Sequence, residues 1–389
     1  MLLLASAVAI MEAPTLLWLL LVQLAGALAL LPETDAVAGT RTRTCGFQVL
    51  FNFGDSNSDT GGASAALLEV NEPNGETFFG HPSGRRCDGR LIIDFVAESL
   101  KLPYLSPYLD SLDTNFRHGV NFATGGSSIR PGGYSPFHLS IQINQFIRFK
   151  SRVEDLYAKF KGGNQQLLGK LPRPQDFSEA LYTLDIGQND LSYGFQYTTQ
   201  KQVRASIPDI LTQFSHAVHQ LYEQGARFFW IHNTGPIGCL PYSILYDRSK
   251  PGNLDKIGCV EPQNKVARRF NTELKRTVRE LREQLTEAAL TYVDVYSIKY
   301  EIVSQAKNLG FMEPTNFCCR SSIFGDAVNC GKREVVNGTV RENLCAHPSK
   351  HVSWDGIHYS EAANKWVVTK ILNGSSSSPP VPIDAACRA

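Results

Sequence analysis

The chain has 389 residues and a formal net charge of +1, with 43% hydrophobic and 19% charged residues. Lys and Arg are scattered rather than striped, which excludes a protein that holds nucleic acid through a basic face. The apolar share is that of a globular protein with a sizeable core, long enough for one large α/β domain or two smaller ones.

Residues 14–31, PTLLWLLLVQLAGALALL, carry no charge, and AVAG downstream permits cleavage after Ala38. The expectation is a signal peptide over 1–38. The run nearly reaches the ~20 residues that span a bilayer, so an uncleaved signal anchor stays open. Nine cysteines fit an oxidising compartment, and their odd number leaves at least one unpaired within the chain. Sequons at Asn337 and Asn373 fit the same route. None of the cysteine spacings is that of a zinc site.

Five short apolar runs then follow in chain order. FQVLFNFG ends at Gly54, GVNFAT runs into Gly125, LYTLDIG ends at Gly187, ARFFWIHNTG at Gly235 and LTYVDVYS at Ser297. All are rich in β-branched and aromatic residues and read as buried strands. Between them, PDILTQFSHAVHQLYEQGA closes on Gly225, a helix-ending residue, and NKVARRFNTELKRTVRELREQL has apolar residues at helical spacing. Alternating strands and helices predict a parallel sheet covered on both faces, with ligands outside the carboxyl ends of the strands. The tail, NGSSSSPPVP, lacks apolar periodicity and reads as mobile.

The residues after each strand are therefore the candidates. GDSNSDTGG begins like a calcium loop, but Thr60 stands where glycine is needed and Ala66 where the bidentate glutamate belongs. It also lacks the lysine of a phosphate loop. A nucleophilic Ser56 at a strand-to-helix turn, near the positive end of a helix, accounts for more of it; the alternative is a polar turn without chemistry. A serine hydroxyl needs a base, and WDGIHYSEAANKW places Asp355 and His358 three apart, close enough for the carboxylate to orient the imidazole. An oxyanion needs fixed donors. NFATGGSS offers the N–H of Gly126 or of Gly125, and DIGQNDL offers the Asn189 side chain, with Asp190 to fix that loop.

Ser56, Gly126, Asn189 and His358 stand in the order of the SGNH hydrolases. FNFGDSNSDTGG, GVNFATGG, DIGQNDL and WDGIHYSEAAN resemble the four sequence blocks of the plant GDSL esterase/lipase family, and GRLIIDFVAESLKLPYL and NTGPIGCLP extend the likeness. The resemblance implies a three-layer α/β/α, flavodoxin-like hydrolase domain over 39–373, with a flexible tail over 374–389 and a shallow site. It implies that Ser56 attacks an ester carbonyl, that Asp355 orients His358 as the base, and that the Ser56 and Gly126 N–H groups and Asn189 hold the oxyanion. Asp55 and Asp190 would support them. No metal or organic cofactor is implied, and no protein partner can be inferred. The expected location is the secretory route, the apoplast foremost, with a Golgi membrane anchor if the leader is retained. The leading substrate is an O-acetylated cell-wall polysaccharide such as xylan. A lipid or small-metabolite ester, acyl transfer to an alcohol, and a non-catalytic wall protein are the other readings. A glycosidase would need two carboxyls flanking the bond, for which Asp55 and Asp355 are the candidates.

GETFFGHPSGRRCDGR, rich in aromatics and arginine, would suit a carbohydrate if it borders the cleft; otherwise it is a structural loop tied through Cys87, with Cys45 as a candidate partner. Cys239 is expected to pair with Cys259, and Cys318, Cys319, Cys330 and Cys345 to form two bridges. Cys387 is then the expected free thiol.

Overall fold

The computed structural model describes residues 44–388, apart from 111, 113, 161–162, 248–251, 320–329, 331–333, 337 and 342–343. The expected leader and the Asn337 sequon lie outside the described residues. Five parallel strands form where the apolar runs predict them: β1 Leu50–Gly54, β2 Gly119–Asn121, β3 Leu181–Asp185, β4 Phe228–His232 and β5 Ala289–Val293. A small hairpin, β6 Glu334–Val336 and β7 Thr339–Arg341, stands apart, and β8 Ser377–Ser378 adds an antiparallel edge to β5. The main order, β2-β1-β3-β4-β5-β8, is flavodoxin-like, with the switch point beside β1.

Alternation along each strand sends successive side chains to opposite faces. Phe51, Phe53, Tyr182, Leu184, Phe229, Ile231 and Leu290 face a core built with three long helices, 139–160, 200–223 and 261–284. Leu50, Leu181, Trp230 and Val293 face a smaller core with helices 92–99, 295–304 and 361–371. The result is a three-layer α/β/α domain. The helix expected from Pro208 begins earlier, at Gln200, because Thr199 and Gln202 form a reciprocal cap there: Thr199 Oγ1 accepts from Gln202 N and Gln202 Oε1 from Thr199 N. Gly225 lies just past its end at φ +100°, as the closing-glycine reading requires.

Three expectations are corrected: the mobile tail, the free thiol at Cys387 and the candidate Cys45–Cys87 pairing. Residues 374–388 are folded back onto the domain. Ser377 and Ser378 pair with β5, Ile383 and Ala386 are buried in the smaller core, and Asp384 O accepts from Cys45 N. Composition pointed to mobility, but long-range packing of a few apolar residues holds the tail. Consequently Cys387 bridges to Cys45 and is no free thiol, while Cys87, buried in the same core, is the unpaired cysteine. The other bridges are Cys239–Cys259, Cys318–Cys345 and Cys319–Cys330.

For the segment around 76–90, of the two readings left open, the structural one is the better supported, because its charges are largely spent inside the fold. Arg85 makes a buried two-pronged pair with Asp94. Arg90 bonds Glu361 and Glu98 while its guanidinium lies 3.9 Å from the Phe78 ring centroid. These contacts clamp helices 92–99 and 361–371 together; removing one partner of a buried pair costs about 3–5 kcal/mol. Arg86 approaches the site, with Nε 3.4 Å from where a Cβ on Gly125 would stand.

Candidate active site

Ser56 sits in the turn after β1, and His358 and Asp355 in the turn before helix 361–371. Ser360 caps that helix, its side chain accepting from Ala363 N, which fixes the turn two residues after His358. His358 Nε2 lies 2.8 Å from Ser56 Oγ, and His358 Nδ1 lies 2.5 Å from Asp355 Oδ2. A carboxylate can only accept, so Nδ1 carries the proton and Nε2 is free to take the one on Ser56. Burial by itself would raise the Asp355 pKa. The charge of His358, its side-chain and backbone hydrogen bonds and the Ile357 N–H outweigh it and hold the carboxyl below the usual range.

Sequence reasoning put Ser56 near a helix N-terminus; that helix, Gly62–Ala66, begins six residues later and is occupied by Asp59. Asp59 Oδ1 accepts from Gly61 N and Gly62 N, and Oδ2 from Ala63 N and from Gly125 N at 2.7 Å. One carboxylate thus ties the nucleophile's loop to the loop after β2. It also uses the Gly125 N–H, whereas the N–H groups of Gly126 and Ser56 make no hydrogen bond among the described residues. Gly126 holds φ +79°, a conformation open to glycine, and so turns its N–H away from its neighbour's.

Asn189 follows β3 in helix 188–197. Its Nδ2 donates to Ser127 O at 2.9 Å, which leaves its second N–H available. Asp190, expected to fix its own loop, also holds the glycine loop: its carboxylate accepts from Ile129 N at 2.7 Å and Arg130 N at 3.0 Å. Burial raises its pKa to about 6 against those bonds.

Asp55 accepts from both nitrogens of Asn57 through Oδ1, which shapes the turn around Ser56. Its Oδ2 is buried with no partner. Burial, then the charge of Asp185, push its pKa to about 7. Asp185 pairs with His232 at 3.2 Å, and Lys299 is buried nearby, with burial lowering its pKa. Asp185, His232 and Lys299 were not singled out from sequence; the polar Asp and His at the ends of two apolar strands were the available signal. Asn373 is exposed at the end of helix 361–371.

Comparison with known proteins agrees with the geometry. The profile of the GDSL-like Lipase/Acylhydrolase family matches residues 50–371. A GDSL esterase/lipase of Arabidopsis thaliana is 52% identical over 88% of this chain and 90% of its own. One from Zea mays is 48% identical over 91% of each. A protein named Alpha-L-fucosidase 3, also from Arabidopsis thaliana, is 47% identical over 87% and 94%. Among solved structures, an acetylxylan esterase of Geobacillus stearothermophilus aligns with a TM-score of 0.37 and 14% identity over 84% of this chain and 93% of its own, too distant to bear on substrate. The chain belongs to the GDSL-like lipase/acylhydrolase family and is a carboxylic-ester hydrolase.

Proposed function

We propose that Ser56 is the nucleophile of an acyl-enzyme mechanism. Its Oγ attacks the ester carbonyl as His358 Nε2 takes the proton, and Asp355 stabilises the resulting imidazolium. The Ser56 N–H, the Gly126 N–H and Asn189 Nδ2 hold the tetrahedral oxyanion. Collapse expels the alcohol, protonated by His358, and water repeats the sequence to release the acid. The observation that carries this reading is the unbroken Ser56–His358–Asp355 hydrogen-bond chain. The favoured substrate is an O-acetyl group on a cell-wall polysaccharide such as xylan, a reading supported by the groove of tyrosines and neutral polar side chains beside helix 188–197. A secreted enzyme is favoured, supported by four disulfides. Among the described residues no helix is long and apolar enough to cross a membrane.

Glycosidase chemistry, prompted by the name of one relative, fits less well. Asp55 and Asp355 are 1% and 3% exposed and face their own partners, so they do not flank an open bond.

The test is acetate release from acetylated xylan beside hydrolysis of p-nitrophenyl acetate and p-nitrophenyl palmitate. Ser56→Ala is expected to abolish all turnover with its melting temperature nearly kept. Full activity in that variant overturns the nucleophile assignment, and palmitate cleavage without release from xylan overturns the substrate.

A further inference from the structure

A groove of about 610 Å³ opens beside the proposed oxyanion site. Its near wall is Tyr134, whose Cβ would be 3.2 Å from a Cβ on Gly126. Ser192, three residues past Asn189, and Gln196 continue that wall. Tyr242 lines the groove too, and its N–H donates at 3.0 Å to Gly356 O, inside the Asp355–His358 turn. The groove therefore reaches from the oxyanion loop to the turn of the base.

Its chemistry is uniform. Among the described residues the lining consists of Tyr, Phe, Ser, Thr, Gln, Asn, Ile and Pro, with no charged side chain. Tyr134 is 43% and Tyr197 59% exposed, and they flank Tyr193, with ring centroids 5.1 Å and 4.4 Å from it. Gln196 Oε1 accepts from Tyr134 OH at 2.8 Å, which holds the ring upright. Gln263 Oε1, also on the lining residues, has no partner among the described residues. A fatty chain gains from an aliphatic channel, and an anionic sugar from arginine or lysine; the described lining residues supply neither. Tyrosines with an apolar face and a polar tip, interleaved with neutral amides and hydroxyls, match the apolar faces and hydroxyl rim of a neutral sugar.

We propose that this groove is the subsite for the alcohol portion of the ester, and that it takes a neutral oligosaccharide chain with Tyr134 as its platform. The placement rests on the mechanism proposed above: the departing oxygen must be protonated by His358, so the alcohol lies on the side where Tyr242 joins the base's turn. Tyr134 is then a specificity-determining residue.

Two measurements test this. In the first, Tyr134→Ala, which keeps the Cβ against Gly126, is compared with Tyr134→Phe on acetylated xylohexaose and p-nitrophenyl acetate. The alanine variant is expected to lower the ratio of kcat/KM between the two substrates about tenfold, mainly through KM, and phenylalanine to restore most of it. An unaltered ratio overturns the proposal. In the second, Ser56→Ala protein is titrated calorimetrically with xylohexaose, hexagalacturonate and laurate. Binding of xylohexaose that weakens when Tyr134→Ala is added supports the proposal; preference for galacturonate or laurate overturns it. Hydrolysis of p-nitrophenyl acetate by the Ser56→Ala protein would instead sink the acyl-enzyme reading, so the two failures are separable.

Discussion

The two loops that meet at Ser56 are held by different means. The turn of the base closes on itself: His358 N donates to Asp355 Oδ1, Gly356 N to Ser353 Oγ, and Trp354 N to His358 O. It is backed by Cys318 and Cys319, whose N–H groups donate to Ser353 O and Trp354 O and whose sulfurs are bridged to Cys345 and Cys330. The glycine loop closes on other parts of the chain. Its N–H groups are taken by Asp59, 66 residues away, and by Asp190, 61 residues away, and its Ser127 O by Asn189. A local turn positions His358, the proposed base; distant carboxylates position the loop that carries Gly126, a proposed oxyanion donor. Changes to those carboxylates should therefore disturb folding and chemistry together, whereas changes to Asp355 should disturb chemistry first.

Asp355→Asn gives the largest expected separation. The amide can still accept the two backbone N–H bonds but favours the wrong imidazole tautomer, so kcat on p-nitrophenyl acetate should fall by about 10⁴. Thermal melting should move little; a large melting loss with modest loss of kcat would break the comparison. Asn189→Ala should lower kcat roughly a hundredfold or more, and a tenfold or smaller loss would assign the donor's role to another group. Asp59→Asn keeps one acceptor oxygen for four N–H groups. It should lower both the melting temperature, by several degrees, and kcat, by about tenfold. Loss of only one of the two would show that the loops are not joined through this side chain.

The smallest effect concerns Asp55. Folding raises its pKa to about 7, so the folded protein holds that proton more tightly than the unfolded chain. Its contribution to stability is greatest below the ordinary carboxylate range and is lost as pH rises toward 7. Asp55→Asn removes the cost of ionising a buried carboxyl while Oδ1 can still accept from Asn57. Its melting advantage over the parent should accordingly grow by a few degrees between pH 5 and pH 8. An advantage that shrinks over that interval would mean that Asp55 is ionised in the fold and paired with Lys299.

Much of the site was legible because it is carried by short contiguous motifs. Asp355 and His358 meet at i, i+3 within one turn, and Ser56 follows a strand whose apolar run marks its end. What stayed hidden depends on residues remote in sequence. Nothing local distinguishes Gly125 from Gly126 as a donor; the difference is that Asp59 occupies one N–H and leaves the other free. Nothing in SSSSPPVP announces that Ile383 and Ala386 will reach the smaller core. Without that, Cys45 and Cys387, 342 residues apart, have no reason to be paired.

By itself the sequence determined the five parallel strands and the two-sided helical cover, and it singled out Ser56, Asp355 and His358, because strand runs, helical spacing and D-x-x-H turns are local patterns of side-chain chemistry. Only the tertiary structure decided which glycine N–H is free, which cysteine is left unpaired, and that Asp55, Asp185, His232 and Lys299 share one buried cluster. Those outcomes depend on which distant segments consume one another's hydrogen bonds and charges, and such competition exists only once the chain is packed.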